Sequence, residues 1–170
     1  MAYINSFSAI ATPYAKVLIL GSIPGKASLM AEQYYAHPRN QFWPIMAELL
    51  TFEPNASYQS RIQSISNAGV ALWDVVNTCE RLNSSLDAKI NANSIITNDF
   101  AEFFLQHPLL TYVFFNGTTA EKTFHKHVLP GLWTQQLIYQ RLPSTSPAHA
   151  SKTFEEKLAE WRILIACLTD

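Results

Sequence analysis

The chain has 170 residues, 48% of them apolar and 15% charged, and carries a formal net charge of −1. These values point to one compact domain over residues 1–170 and exclude a disordered chain. They also exclude a nucleic-acid partner argued from bulk charge; only a local basic groove would supply one.

Residues 16–20, Lys-Val-Leu-Ile-Leu, form an apolar run ending at Gly21 and read as a buried strand. Residues 22–39 are polar and turn-rich, a long connection of the kind that is often functional. A helix is predicted over 40–50, with Trp43, Met46, Leu49 and Leu50 facing inward. A second covers 58–67 and closes at Gly69. Residues 70–76 read as a strand, 77–93 as irregular and 97–106 as a helix stopped by Pro108. A strand over 110–115, rich in β-branched and aromatic residues, precedes Asn116-Gly117. Thr118 and Glu121 have capping-box spacing, opening a helix to His127. A last strand spans 136–142. The final helix begins near Ser151, with Phe154, Leu158, Trp161, Ile165 and Leu168 on one face.

This alternation predicts an α/β fold with a mostly parallel sheet covered on both sides. Ligands of such sheets bind beyond the carboxyl ends of the strands. Three polar segments fall there, at 21–41, 116–117 and 142–149.

Gly21-Ser22-Ile23-Pro24-Gly25-Lys26 is one residue short of a Walker loop, and Ala27 stands where Ser or Thr is needed. It is either a plain turn or a ligand-contacting loop that exposes backbone amides. The densest constellation is 34–43, where aromatics interleave with His37, Arg39 and Asn40. Aromatics stack on bases and Arg pairs with phosphate. Trp43 reads better as a core anchor, Tyr35 as a stacking residue, and Asn40, by position alone, as a helix cap. Asn116 offers a donor beside an acceptor, complementary to the edge of hypoxanthine or uracil, or else simply ends its strand. Ser144, Thr145, Ser146 and Pro147 suit a stiff loop pressed against DNA, and equally a rigid connector.

The histidines have no metal-ligand spacing, and Cys79 and Cys167 form no CxxC pair, so no metal is expected. No GxSxG elbow is present. No paired carboxylates are expected near the site; Asp74 and Asp87 are outliers, and Asp74 after Trp73 reads as structural. The first lysine is Lys16, which leaves no basic signal-peptide head, and no apolar run reaches the roughly 18 residues of a membrane span. Isolated thiols fit a reducing compartment. A cytoplasmic monomer with no membrane association is expected.

Together these motifs resemble the uracil-DNA glycosylase superfamily, most closely its hypoxanthine-DNA (deoxyinosine) glycosylase branch. The carrying residues are Gly21-Ser22-Ile23-Pro24-Gly25, Tyr35-Ala36-His37-Pro38-Arg39-Asn40 with Phe42-Trp43, Phe115-Asn116-Gly117, and residues 142–148. The resemblance spans residues 5–165. It implies a three-layer α/β/α fold around a four-stranded parallel sheet. It implies an enzyme that needs no cofactor or metal, flips a deaminated base out of DNA and hydrolyses its N-glycosidic bond. The abasic site left behind would enter base excision repair. The classical uracil branch has an acidic residue in the first motif, and the mismatch-specific branch has an asparagine where this chain has Ile23. Ile23 can neither orient nor activate water. The hypoxanthine branch uses the asparagine of the His-Pro-Arg-Asn segment, which makes Asn40 the catalytic residue. Tyr35 matches the stacking aromatic, Asn116 the base-reading asparagine, and residues 144–148 the groove-entering loop. Amides near Ser22 and Gly25 would take the base oxygen, and Lys26 and Arg39 the phosphates, with Lys122 and Lys126 as lesser candidates. The alternatives are uracil- or mismatch-type activity, action on free nucleosides, and a non-catalytic damage-binding module.

Overall fold

The computed structural model describes residues 2–133 and 136–170. In chain order the strands are β1 (Ala2–Asn5), β2 (Val17–Gly21), β3 (Val70–Asp74), β4 (Val76–Arg81), β5 (Ile96–Thr97), β6 (Tyr112–Asn116) and β7 (Ile138–Leu142). The α-helices are α1 (Lys26–Ala31), α2 (Phe42–Leu50), α3 (Tyr58–Asn67), α4 (Phe100–Gln106), α5 (Thr118–His127), α6 (Phe154–Trp161) and α7 (Ile163–Thr169).

Four strands form a parallel sheet in the order β3-β2-β6-β7. Residues 17–20 of β2 are fully buried because both sheet faces are covered. Val17 and Ile19 point into one core with Phe42, Ile45 and Met46 of α2, Ile65 of α3, Trp161 of α6 and Leu164 of α7. Leu18 and Leu20 point into the other, with Phe100, Phe103 and Phe104 of α4 and Phe124 of α5. The period-2 alternation of a strand thus divides one apolar run between two cores, which makes the α/β/α sandwich. Each such side chain contributes roughly 1.5–3 kcal/mol by leaving water.

Several local expectations are corrected. Residues 77–93 contain all of β4 but its first residue, Val76, which the sequence reading gave to the preceding strand; β4 pairs antiparallel with β1 and β5 in a small second sheet. Its buried positions Val76, Cys79 and Arg81 are interrupted by polar residues, which made the segment read as irregular. The long loop after β2 contains α1, a six-residue helix without a side-chain cap. Helix α2 begins at Phe42 rather than Asn40, and α4 begins at Phe100 on an Asp99 cap. Thr118 does not cap α5. The N-cap is Gly117, with no side-chain hydrogen bond, and the molecule's capping box is Thr153 with Glu156 at the start of α6. The last amphipathic run breaks at Arg162 into α6 and α7.

Candidate active site

Strand β2 lies at the centre of the parallel sheet, and the chain leaving it returns as β3 on one side while β6 flanks it on the other. Connections that diverge from adjacent strand ends leave a crevice between them. A cavity of about 630 Å³ opens at that point, within the range of small-ligand sites. Ser22, Gly25, Lys26, Tyr35, Arg39 and Asn40 from the segment after β2 line it. So do Asn116 at the end of β6, and Ser144, Thr145, Ser146 and Pro147 after β7. Every site residue expected from the sequence, the lesser candidates Lys122 and Lys126 apart, therefore borders one cavity. Lys122 and Lys126 do not line it; they lie exposed on α5.

Asn40 is half-buried, and its Oδ1 accepts the backbone N–H of Phe42 at 2.9 Å. The helix cap read from position is not what forms: the N-cap of α2 is Gln41, without a side-chain hydrogen bond, and Asn40, one residue earlier, closes an Asx-type turn from the cavity wall. A carboxamide oxygen has two lone pairs, so one remains, together with the amide protons. Phe42 in turn stacks on Tyr35, ring centroids 4.1 Å apart and planes at 27°. Tyr35 has φ +55°, a left-handed conformation that costs a non-glycine residue about 1–3 kcal/mol and persists where the surroundings impose it. Its hydroxyl is buried without a partner at hydrogen-bond geometry among the described residues. Burial first, then the Asp74 carboxyl, raise its pKa, while the Asn116 amide acts in the opposite direction.

Asn116 is engaged on both sides of its amide. Nδ2 donates to Thr145 Oγ1 at 2.9 Å and Oδ1 accepts Thr145 N–H at 2.9 Å. One proton and one lone pair are left for a ligand. Thr145, expected at the DNA surface, is only 1% exposed. It fixes Asn116 and the loop instead, so the outward-facing part of that loop is Ser144, Ser146, Pro147 and Ala148. Gly117 has φ +96°, and a Cβ there would lie 3.0 Å from Ser144 Cβ, so only glycine permits this approach of the β6 and β7 connections. Helix α6 clamps the loop at both ends. Trp161 Nε1 donates to the Pro143 carbonyl at 2.9 Å, and the buried Lys157 Nζ donates to the His149 carbonyl at 2.7 Å.

The expectation of no paired carboxylates near the site is overturned. Asp74 and Asp87 both line the cavity. Asp74 ends β3 directly beside Gly21, its register partner on β2. Burial, followed by the charge on Asp87, pushes its pKa up to about 7. Burial also raises Asp87, whose Oδ1 accepts the Ser22 hydroxyl at 2.8 Å. Gly21 is required here, since a Cβ would fall 2.6 Å from Asp74 Oδ1 and 3.1 Å from the Tyr35 hydroxyl. Behind the Gly21–Gly25 turn, the buried Arg81 of β4 donates from Nη2 to the Pro24 carbonyl at 2.8 Å. The signal for Asp74 was positional: it ends a strand at the same sheet edge as Gly21. Asp87 and Arg81 lie in the stretch read as irregular, where nothing local marks them.

Among the described residues no three His, Cys, Asp or Glu side chains gather as a metal-ligand set. No helix among them is long and apolar enough to cross a membrane.

Residues 8–165 match the family model described as the uracil DNA glycosylase superfamily. The chain belongs to this superfamily. A hypoxanthine DNA glycosylase of Methanosarcina barkeri (strain Fusaro / DSM 804) is 33% identical over 114 residues, covering 66% of this chain and 70% of the relative. One from Methanosarcina acetivorans is 29% identical over 158 residues, covering 92% of this chain and 94% of the relative. A solution NMR structure from Methanosarcina acetivorans, described as a candidate uracil DNA glycosylase, superimposes with a TM-score of 0.82 at 28% identity. It covers 99% of this chain and 100% of that one. The α/β/α sandwich with its four parallel strands is thus the fold of the superfamily, and the chain is a member of a DNA glycosylase family.

Proposed function

We propose that this protein flips a deaminated base, hypoxanthine by preference, out of DNA into the cavity and hydrolyses its N-glycosidic bond, leaving an abasic site. The observation that carries this reading is the meeting of Asn40 and Asn116, 76 positions apart in sequence (116 − 40), on the wall of one cavity that also holds Tyr35. The relatives' names agree with the choice of base.

Extruding a base costs a few kcal/mol, roughly, and least where pairing is already weak, as for hypoxanthine opposite thymine. The Tyr35 ring, held by Phe42, gives the base a surface to lie against, and the spare donor and acceptor of Asn116 meet its polar edge. As the glycosidic bond lengthens, positive charge builds on the sugar. The free lone pair of Asn40 Oδ1 holds water and faces that charge; the other lone pair, tied to Phe42 N–H, keeps the dipole fixed in advance. Amides of the turn at Ser22 and Gly25 receive the base oxygen. Ser144, Ser146 and Pro147 approach the groove, and Lys26 and Arg39, both exposed at the cavity, contact phosphates.

The test is a panel of labelled duplexes, each with one hypoxanthine, uracil, xanthine or alkylated base, followed by alkaline scission of abasic sites. Hypoxanthine should be released fastest. Preferred release of another base would move the specificity, and binding without scission of any would leave a non-catalytic damage-binding module. Cleavage of free inosine with none of duplex DNA would assign a nucleoside hydrolase.

A further inference from the structure

Asp74 is 4% exposed, lines the cavity, and its Oδ2 meets no hydrogen-bond partner among the described residues. An ionised carboxylate in that position would lack compensation. The ion pairs among the described residues are Arg141 with Glu121 and Lys152 with Glu160, both elsewhere. The groups that bear on Asp74 all favour its neutral form or leave it unpaired. Asp87 reaches it from the 87–89 turn, and Tyr34 and Tyr35 from the segment before α2. Arg81 of β4 acts on Asp87. Lys26, Arg39, His37 and His149 border the same cavity without pairing to it. A protonated carboxyl on the cavity wall is a proton donor with no acceptor of its own among the described residues.

A departing purine needs such a donor. Without one it must leave as an anion, and its ring nitrogens N7 and N3 are the natural receivers of a proton. The carboxamides of Asn40 and Asn116 and the backbone amides of the Gly21–Gly25 turn can donate hydrogen bonds but cannot give up a proton near neutral pH. Geometry adds reach. Asp74 Oδ1 and the Tyr35 hydroxyl both border the space that a Cβ on Gly21 would fill, at 2.6 and 3.1 Å from it, so a base lying against Tyr35 is held beside the acid.

We propose that Asp74 is the general acid of this site, donating its carboxyl proton to N7 or N3 of the bound purine as the glycosidic bond breaks. This rests on the glycosylase reading above and adds a catalytic residue to it. The Asp74 O–H bond breaks and an N–H bond forms on the base. The C1′–N9 bond breaks, and its electron pair stays with the base, which leaves neutral. The water oxygen bonds to C1′, and the proton released from that water, passed through solvent, restores the Asp74 acid. A pyrimidine such as uracil has neither receiving nitrogen, so the acid also favours purines.

The experiment compares single-turnover cleavage of duplexes containing deoxyinosine, 7-deazadeoxyinosine or 3-deazadeoxyinosine by the wild type, Asp74→Asn and His37→Gln. Asp74→Asn should cut deoxyinosine about a hundredfold more slowly. One of the two deaza substrates should be poor for the wild type, and this discrimination should shrink to near unity in Asp74→Asn; comparing ratios cancels the analogues' intrinsic leaving ability. His37, whose Nδ1 accepts the Arg39 N–H, is the rival donor, and His37→Gln should keep the discrimination. A second readout needs no variant: the wild-type rate should decline with rising pH on deoxyinosine and not on the poor analogue. Equal discrimination by the wild type and Asp74→Asn overturns the assignment, as does loss of discrimination in His37→Gln. If Asp74→Asn fails to fold, identical pH profiles on all three substrates overturn it. No release of any base by the wild type would sink the glycosylase reading itself, and the acid with it.

Discussion

Asn40 joins structure and chemistry in one carboxamide, so its removal should show in both. Asn40→Ala deletes the acceptor for Phe42 N–H, a change worth about 1 kcal/mol of stability, the usual net contribution of one hydrogen bond. It also deletes the oxygen assigned to water, where loss of one preorganised polar contact costs about a hundredfold or more in rate. Thermal melting should therefore drop slightly while cleavage nearly vanishes; wild-type-like cleavage would remove Asn40 from the mechanism. Asp74 makes a separate prediction about stability. Below pH ~4 its carboxyl is protonated in the folded and the unfolded chain alike. Between there and about 7, its folded-state pKa, the unfolded chain has lost the proton and the folded chain retains it. Folding then binds a proton, so this residue's contribution to stability falls as pH rises through that window. Asp74→Asn, which cannot ionise, should gain in melting temperature relative to the wild type from pH 4 to 7. A constant difference across that range would contradict a raised carboxyl. Asn40, Tyr35 and Asn116 stood out in the sequence because their neighbours did: Pro38 and Arg39, a strand end, a Gly117 turn. Asp74 did not, because a strand-ending aspartate next to a tryptophan looks the same whether it meets solvent or a second carboxylate from the 87–89 turn.

The elements that place these residues act through their ends. Strands β2 and β6 are neighbours in register, Leu20 beside Phe115, so Gly21 and Asn116 emerge together, and α6 anchors the third segment through Lys157 and Trp161. Gly117 is the tightest joint. Its φ of +96° and ψ of 173° lie in a region essentially reserved for glycine, and Ser144 leaves no space for a methyl group. Gly117→Ala should cost roughly 1–3 kcal/mol from backbone strain, with a further loss from displacing Ser144. Urea unfolding measures the stability, and cleavage should fall further than it does in an equally destabilised core variant, since the displaced loop carries Thr145 and with it Asn116. Unchanged unfolding would show that the two connections can separate freely. The buried strands β2, β3 and β6 were legible because covering both faces demands apolar runs. The antiparallel β1, β4 and β5 were not: β1 and β5 have only four and two residues, and the register shift between Val76 and Thr78 breaks the alternation of β4, while α1 is too short and too weakly capped to announce itself. That gap mattered, because β4 carries Arg81, which holds the Pro24 carbonyl beneath the cavity.

At the scale of the whole molecule, the difficulty is charge. A net −1 gives no long-range pull toward DNA, so affinity must come from cations close to the cavity mouth. Lys26 and Arg39 are exposed there, whereas Lys122 and Lys126 of α5 lie away from the lining residues. Duplex binding that neutralises Z phosphates weakens with salt, log K falling with log salt at a slope of about −0.9Z. With so few candidate contacts the slope should be shallow but clearly negative, near −2 if both cations engage and nothing else does. Lys26→Gln and Arg39→Gln should each reduce its magnitude by about one and weaken binding to damaged and undamaged duplex alike, because phosphate contacts carry no sequence information. Lys122→Gln with Lys126→Gln should leave the slope unchanged. Fluorescence anisotropy of a labelled duplex over low to moderate salt measures all three. A slope that stays flat in the wild type would mean that the mouth of the cavity does not meet a phosphate backbone, and the ligand would then be a free nucleoside rather than DNA.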